Sequence, residues 1–152
     1  MGVGSSRKIW AVRRWLLSGF LDTSVVVRYL TGDSRELSDL ATGIIDREDD
    51  LWITDVVLAE TSYVLTSVYQ LPRALILDQL IELVQRQNVT VYAMDKGLVL
   101  QALLMCRPSG RVSIADALVW AAARSSRSDV VYSFDDRFPG DGLEIRRSIA
   151  AS

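Results

Sequence analysis

Residues 19–27 read Gly19-Phe20-Leu21-Asp22-Thr23-Ser24-Val25-Val26-Val27: an apolar pair, a carboxylate, two hydroxyls and three valines. Residues 19–21 suit a short strand that stops at Asp22, and residues 25–30 suit the helix behind it. An acid set between two apolar elements is costly unless something compensates its charge. The same alternation continues down the chain. Residues 34–47 have the period of a helix with Ser34 at its N-cap. Residues 51–53 read as a strand, with Asp55 a candidate N-cap for a helix over 56–69. Pro72 suits the first turn of a helix running to about residue 87. Residues 89–93 are β-branched and alternating, hence a strand. Asp95 and Ser113 are placed to cap helices over 96–105 and 114–125. Residues 130–134 form the next strand and 143–146 a last one. Strands that are nearly continuous apolar runs, separated by helices, indicate a parallel sheet covered on both faces. The expected fold is α/β, a three-layer α/β/α sandwich with a mainly parallel central sheet.

Length and composition narrow the chemistry. The chain has 152 residues, 49% hydrophobic and 24% charged, which suits one globular domain with one core. Residues 20–147 are expected to hold it, with 1–19 as an N-terminal extension and 148–152 as a short tail. Cys106 is the single cysteine and there is no histidine. Internal disulfides, multi-cysteine zinc sites and histidine-based nucleophile or acid–base systems are therefore excluded. The acids comprise 14 Asp and 5 Glu, and the bases 15 Arg and 2 Lys, for a net charge of −2. Arg13, Arg14 and Asp22 interrupt what could otherwise be a secretory signal. No run of 18 apolar residues exists to span a membrane. A cytoplasmic protein without a membrane anchor is expected.

Most acids sit where water would be. Asp78 and Glu82, for example, fall on the polar side of a helix whose apolar face is read as Leu77, Leu80, Ile81 and Val84. Four acids do not fit that description. Asp22 ends a strand, and Asp135 follows the apolar run 130–134. Glu60 lies between Val57 and Val64 on the apolar side of its helix, as does Asp116 between Val112 and Val119-Trp120. Structural ion pairs are the competing explanation for each, with Arg28, Arg111, Arg124 and Arg137 nearby in sequence. In a parallel α/β sheet, however, sites form at the carboxyl ends of the strands. Four carboxylates brought together there, with no histidine, suit a hard divalent cation, Mg²⁺ or Mn²⁺. Such a cluster can activate water and stabilise an in-line phosphoryl displacement.

Phe20-Leu21-Asp22-Thr23-Ser24, then Glu60 in Val56-Val57-Leu58-Ala59-Glu60, then Ile114-Ala115-Asp116-Ala117-Leu118, then Ser133-Phe134-Asp135-Asp136-Arg137-Phe138 resemble the ordered motifs of PIN-domain nucleases. Within that superfamily the short chain resembles the bacterial VapC-type toxins of type II toxin–antitoxin pairs. The resemblance spans residues 20–147. It implies a Mg²⁺- or Mn²⁺-dependent endoribonuclease, a homodimer, and an antitoxin partner whose C-terminal segment occupies the active-site groove. It also implies that Asp22, Glu60 and Asp116 hold the metal most directly, while Asp135 acts through water or at a second metal position. Asp136 is adjacent to Asp135 and is the alternative fourth acid; the strand-end position favours Asp135.

Phosphate contacts would fall to arginine, since lysine is nearly absent, and Arg107, Arg111, Arg124, Arg127 and Arg137 are the candidates. Two other functions fit parts of the pattern. An Asp-nucleophile phosphatase would use Asp22, but Ser24 stands where its second aspartate is needed. A catalytically inactive protein-binding module would have no use for four costly acids. Trp52 and Trp120 are expected in the core, whereas Trp10 and Trp15 belong to the extension.

Overall fold

β1 (Gly19–Leu21) is the middle strand of the sheet and is buried along its whole length. The computed structural model from which the architecture is drawn describes residues 19–47, 50–106, 108–126 and 128–149. After β1 come α1 (Thr23–Thr31), α2 (Arg35–Ile45), β2 (Leu51–Thr54), α3 (Asp55–Ser67), α4 (Arg73–Val84), β3 (Val89–Tyr92), α5 (Lys96–Cys106), α6 (Ile114–Ser125), β4 (Val130–Tyr132) and β5 (Glu144–Arg146). The strands lie in the order β3-β2-β1-β4-β5, and every pairing is parallel. With helices on both faces this is the three-layer α/β/α sandwich that the alternating pattern predicts.

The order fixes where a crevice must open. From β1 the chain moves outward to β2 and β3 on one side, then returns to place β4 and β5 on the other. The loops leaving β1 and β4 therefore diverge at the carboxyl edge, between neighbouring strands. Phe20 and Leu21 pair with Val131 and Tyr132 across that boundary. Close approach is needed here: a Cβ on Gly19 would run into the Tyr132 ring, so glycine starts the strand. On the other side, Phe20, Trp52 and Tyr92 form a ring cluster with centroids 4.8–5.7 Å apart, tying β1, β2 and β3 together. Such contacts add to the area that aromatic side chains bury. Trp120 is buried in the core, and its indole N–H donates to the Asp141 carbonyl at 2.9 Å.

Several boundaries differ from expectation, each for a local reason. α3 begins at Asp55, and its N-cap is Thr54, whose buried hydroxyl accepts from the Val57 N–H at 3.2 Å. The Asp55 carboxylate instead bonds its own neighbour, the Val56 N–H. Ser34 holds the N-cap position of α2, but its side chain makes no capping bond. α4 carries two overlapping apolar stripes. Of the face expected to point inward, Leu77, Ile81 and Val84 are exposed and Leu80 is half-buried, while Ile76 and Leu83 are buried. Positions 76, 80 and 83 have the same helical spacing as 77, 81 and 84, so periodicity alone could not choose between them. β4 ends at Tyr132, two residues earlier than expected, and the place directly at its end falls to Ser133.

Candidate active site

Each of the four acids arrives from a different element. Asp22 is the N-cap of α1, in extended conformation, and its carbonyl accepts the first helical bonds from Val25 and Val26. Its side chain does not cap the helix. It turns into the crevice, where it is 2% exposed. Oδ2 accepts from the Ser133 hydroxyl at 2.7 Å and from the Ser24 hydroxyl at 2.9 Å. Oδ1 is buried and has no hydrogen-bond partner. Burial pushes the Asp22 pKa above the ordinary carboxylate value, and the two serine hydroxyls, with the Thr23 and Ser24 backbone N–H groups, only partly oppose it.

Asp116 lies in the first turn of α6, where Ser113 caps the helix by accepting from the Asp116 N–H at 3.0 Å. A helix N-terminus favours a charged carboxylate. Even so, burial and then the nearby Asp22 charge push Asp116 up to about 7, with Asp135 and Glu60 adding to the rise. Glu60, in the second turn of α3, is half-buried. Its pKa is raised by burial and by the charges of Asp22 and Asp135. The Thr23 hydroxyl draws Glu60 partly back down without the geometry of a full hydrogen bond.

Asp135 sits in the loop after β4, its side chain 37% exposed. Ser133 holds this loop through its hydroxyl, which accepts from the Asp135 N–H at 3.1 Å. Oδ1 of Asp135 accepts from the Arg137 N–H, and the Arg137 guanidinium stands 3.9 Å away. Asp136 next to it points outward, 98% exposed.

Asp116 thus feels the charges of Asp22, Asp135 and Glu60, and Glu60 those of Asp22 and Asp135. Among the described residues, no arginine or lysine pairs with Asp22, Glu60 or Asp116. Arg28, nearest in sequence to Asp22, turns to Asp33 instead, and Arg124 reaches the Gly142 carbonyl. The structural-ion-pair explanation therefore finds no cation for these three. As the side chains stand, no three acids among the described residues form a ready ligand set for one ion. What they do offer is oxygen chemistry of the right kind, with a buried Asp22 Oδ1 that makes no full hydrogen bond among the described residues. Hard divalent cations fit that donor set.

Sequence reasoning missed two parts of this arrangement. One is Ser133, whose hydroxyl joins the Asp22 carboxylate to the Asp135 backbone. Its only signal was position, as a buried polar residue closing an apolar strand. The other is the closing of the network through Ser24, whose hydroxyl also accepts from the Phe134 N–H at 2.9 Å. Arg107, Arg127, Trp10, Trp15 and the Arg13-Arg14 pair lie outside the described residues.

The comparisons with known proteins bear on the family and the fold. The PIN domain family matches residues 19–140 of the chain. Among solved structures, the chain is similar to the Mycobacterium tuberculosis toxin VapC20, described as cleaving the Sarcin-Ricin loop. The identity is 21% and the TM-score 0.66, with 82% of this chain and 95% of that one covered. It is also similar to VapBC2 from Rickettsia felis, solved bound to a DNA fragment from its promoter. There the identity is 12% and the TM-score 0.61, with 85% and 97% covered. FitAcB from Neisseria gonorrhoeae gives 16% identity and a TM-score of 0.53, with 83% and 94% covered. No curated protein matches the chain at significant similarity.

Proposed function

Because the chain belongs to the PIN domain family, we propose that it is a divalent-metal-dependent endoribonuclease and the toxin of a toxin–antitoxin pair. The observation that carries this reading is the state of three of the acids. Asp22, Glu60 and Asp116 are each pushed toward neutrality, by burial and, for Glu60 and Asp116, by neighbouring acids, with no protein cation beside them among the described residues. A fold has little reason to keep that arrangement unless a ligand of opposite charge completes it.

In this reading Asp22, through Oδ1, together with Glu60 and Asp116 would hold Mg²⁺ or Mn²⁺. When bound, the ion supplies positive charge that lowers the pKa of water and offsets charge on the scissile phosphate. The protein's part is to orient and to exclude. Ser24 and Ser133 fix one oxygen of Asp22 and leave the other without a full hydrogen bond among the described residues. Ser113 seats Asp116 at the start of α6. Asp135, at the rim, is placed to orient water or to serve a second ion.

A partner protein is consistent with the apolar surface. Tyr63, Val68, Leu104 and Ile114 are each more than half exposed, and a second copy of the chain or an antitoxin segment would cover such residues. No helix among the described residues is long and apolar enough to cross a membrane.

The test is incubation of the purified protein with structured and unstructured RNA in Mg²⁺, Mn²⁺ or EDTA, beside Asp22→Asn and Asp116→Asn. Cleavage is expected only with a divalent ion and is lost in both variants. Products should carry 5′-phosphate and 3′-hydroxyl ends, because water attacks rather than the ribose hydroxyl. Cyclic-phosphate ends would overturn the water mechanism.

A further inference from the structure

We propose that Arg147 binds an RNA phosphate at the rim of this site, an inference that rests on the nuclease reading above. β5 runs parallel to β4, with Tyr132 paired to Arg146, so both strands end at the edge that carries the acids. Ser133, the residue that grips Asp22, donates its N–H to the Arg146 carbonyl at 3.1 Å. Arg147 is the next residue out. Its Nη1 donates to the Phe134 carbonyl at 3.1 Å, and its guanidinium carbon lies 5.5 Å from the centroid of the Phe134 ring. The Phe134 N–H in turn is held by Ser24, which also bonds Asp22. The guanidinium is thus tied to the catalytic carboxylate through a short chain of hydrogen bonds.

Three features suit this group to phosphate. The arginine is already ordered by a carbonyl and a ring, which reduces the entropy lost when an anion docks. Among the described residues no acceptor engages Nε or Nη2, so two donor edges remain for phosphate oxygens. Its one acidic neighbour among the described residues, Asp136 at 3.8 Å, is 98% exposed and competes weakly. The four acids repel a polyanion, and a fixed cation at their rim offsets that repulsion. Arg146 cannot do this, because Glu144 takes two of its nitrogens at 2.8 and 2.9 Å.

The experiment measures binding of a fluorescein-labelled single-stranded RNA to Asp116→Asn protein in Mg²⁺, by anisotropy over a salt series. Adding Arg147→Gln should weaken binding about tenfold and reduce the salt slope by about 0.7. Arg147→Lys keeps the charge but not the planar fork, and should fall between. Arg146→Gln should leave affinity and slope unchanged. In the otherwise unsubstituted enzyme, Arg147→Gln should raise KM with kcat within about twofold. Unchanged RNA binding in Arg147→Gln would overturn the inference, as would an equal loss in Arg146→Gln, which would mean a general charge effect. Failure of the parent protein to bind any RNA would overturn the nuclease reading and this inference with it.

Discussion

The two ends of α1 each carry an aspartate, eleven residues apart and in opposite states. Asp33, after the helix, accepts two bonds from Arg28 at 2.7 Å, one from the Tyr69 hydroxyl at 2.6 Å and one from Thr31 at 3.0 Å. With those donors its pKa falls to about 2. Asp22, before the helix, has two serine hydroxyls on one oxygen and, among the described residues, no full hydrogen bond on the other, and burial drives its pKa up. The first carboxylate is complete within the chain. The second is not. A charge that the protein satisfies itself marks structure, and a buried charge left unsatisfied marks a site.

The sharpest way to break that contrast is to neutralise each aspartate in turn. Asp22→Asn and Asp116→Asn should lower the metal-dependent cleavage rate by about a thousandfold or more, since each removes an oxygen charge that the bound ion needs. Asp33→Asn should leave the rate within about twofold. Equal losses in all three, read as initial rates on one RNA, would erase the distinction.

The pH dependence of stability tests the same contrast without substrate. The folded pKa of Asp116 is about 7, above its ordinary 3.8. Its neutral form is therefore the favoured one in the fold. The associated stability is full below pH 4 and is lost as pH rises toward 7. Asp116→Asn should accordingly stabilise the metal-free protein at pH 8 by roughly 2–4 kcal/mol and be nearly neutral at pH 4. Urea unfolding at the two pH values measures this, and a destabilised variant at pH 8 would contradict it.

Divalent ions should reverse that deficit. At pH 8, Mg²⁺ or Mn²⁺ at about 100 times its dissociation constant should add about 2.7 kcal/mol, seen as a rise in Tm that EDTA removes. The rise should survive Asp33→Asn and vanish in Asp22→Asn. The smallest effect belongs to the completed aspartate. Asp33→Asn should cost about 1 kcal/mol at pH 7, because the pair is exposed and screened. That cost should fade as pH drops from about 4 to about 2, where the wild-type carboxylate is itself protonated.

The sheet and its helices were legible because their signals are local. Apolar runs, caps at Ser113 and Asp95, and β-branched residues at 89–91 each state one element's identity without reference to the rest. The four acids were legible for a related reason, since a carboxylate beside apolar neighbours contradicts its own surroundings. Other features depend on partners far away in sequence. Ser133 meets Asp22 across 111 positions, and no pattern near residue 133 states that. Arg147 matters because β5 happens to end beside the Phe134 loop, a matter of sheet order. The inward stripe of α4 was undecidable because two apolar stripes share its spacing, and only packing selects Ile76 and Leu83.

The measurement closest to the central claim is calorimetric titration of Mn²⁺ into the metal-free protein and into Asp22→Asn at pH 7, in buffers of different ionisation enthalpy. Burial and the nearby acids push Asp116 up to about 7, so binding at that pH should release protons. The heat should then change with the buffer, and Asp22→Asn should show no binding. Binding of equal affinity in Asp22→Asn, or no binding to the folded wild-type protein, would show that the acids at this sheet edge are not waiting for a cation.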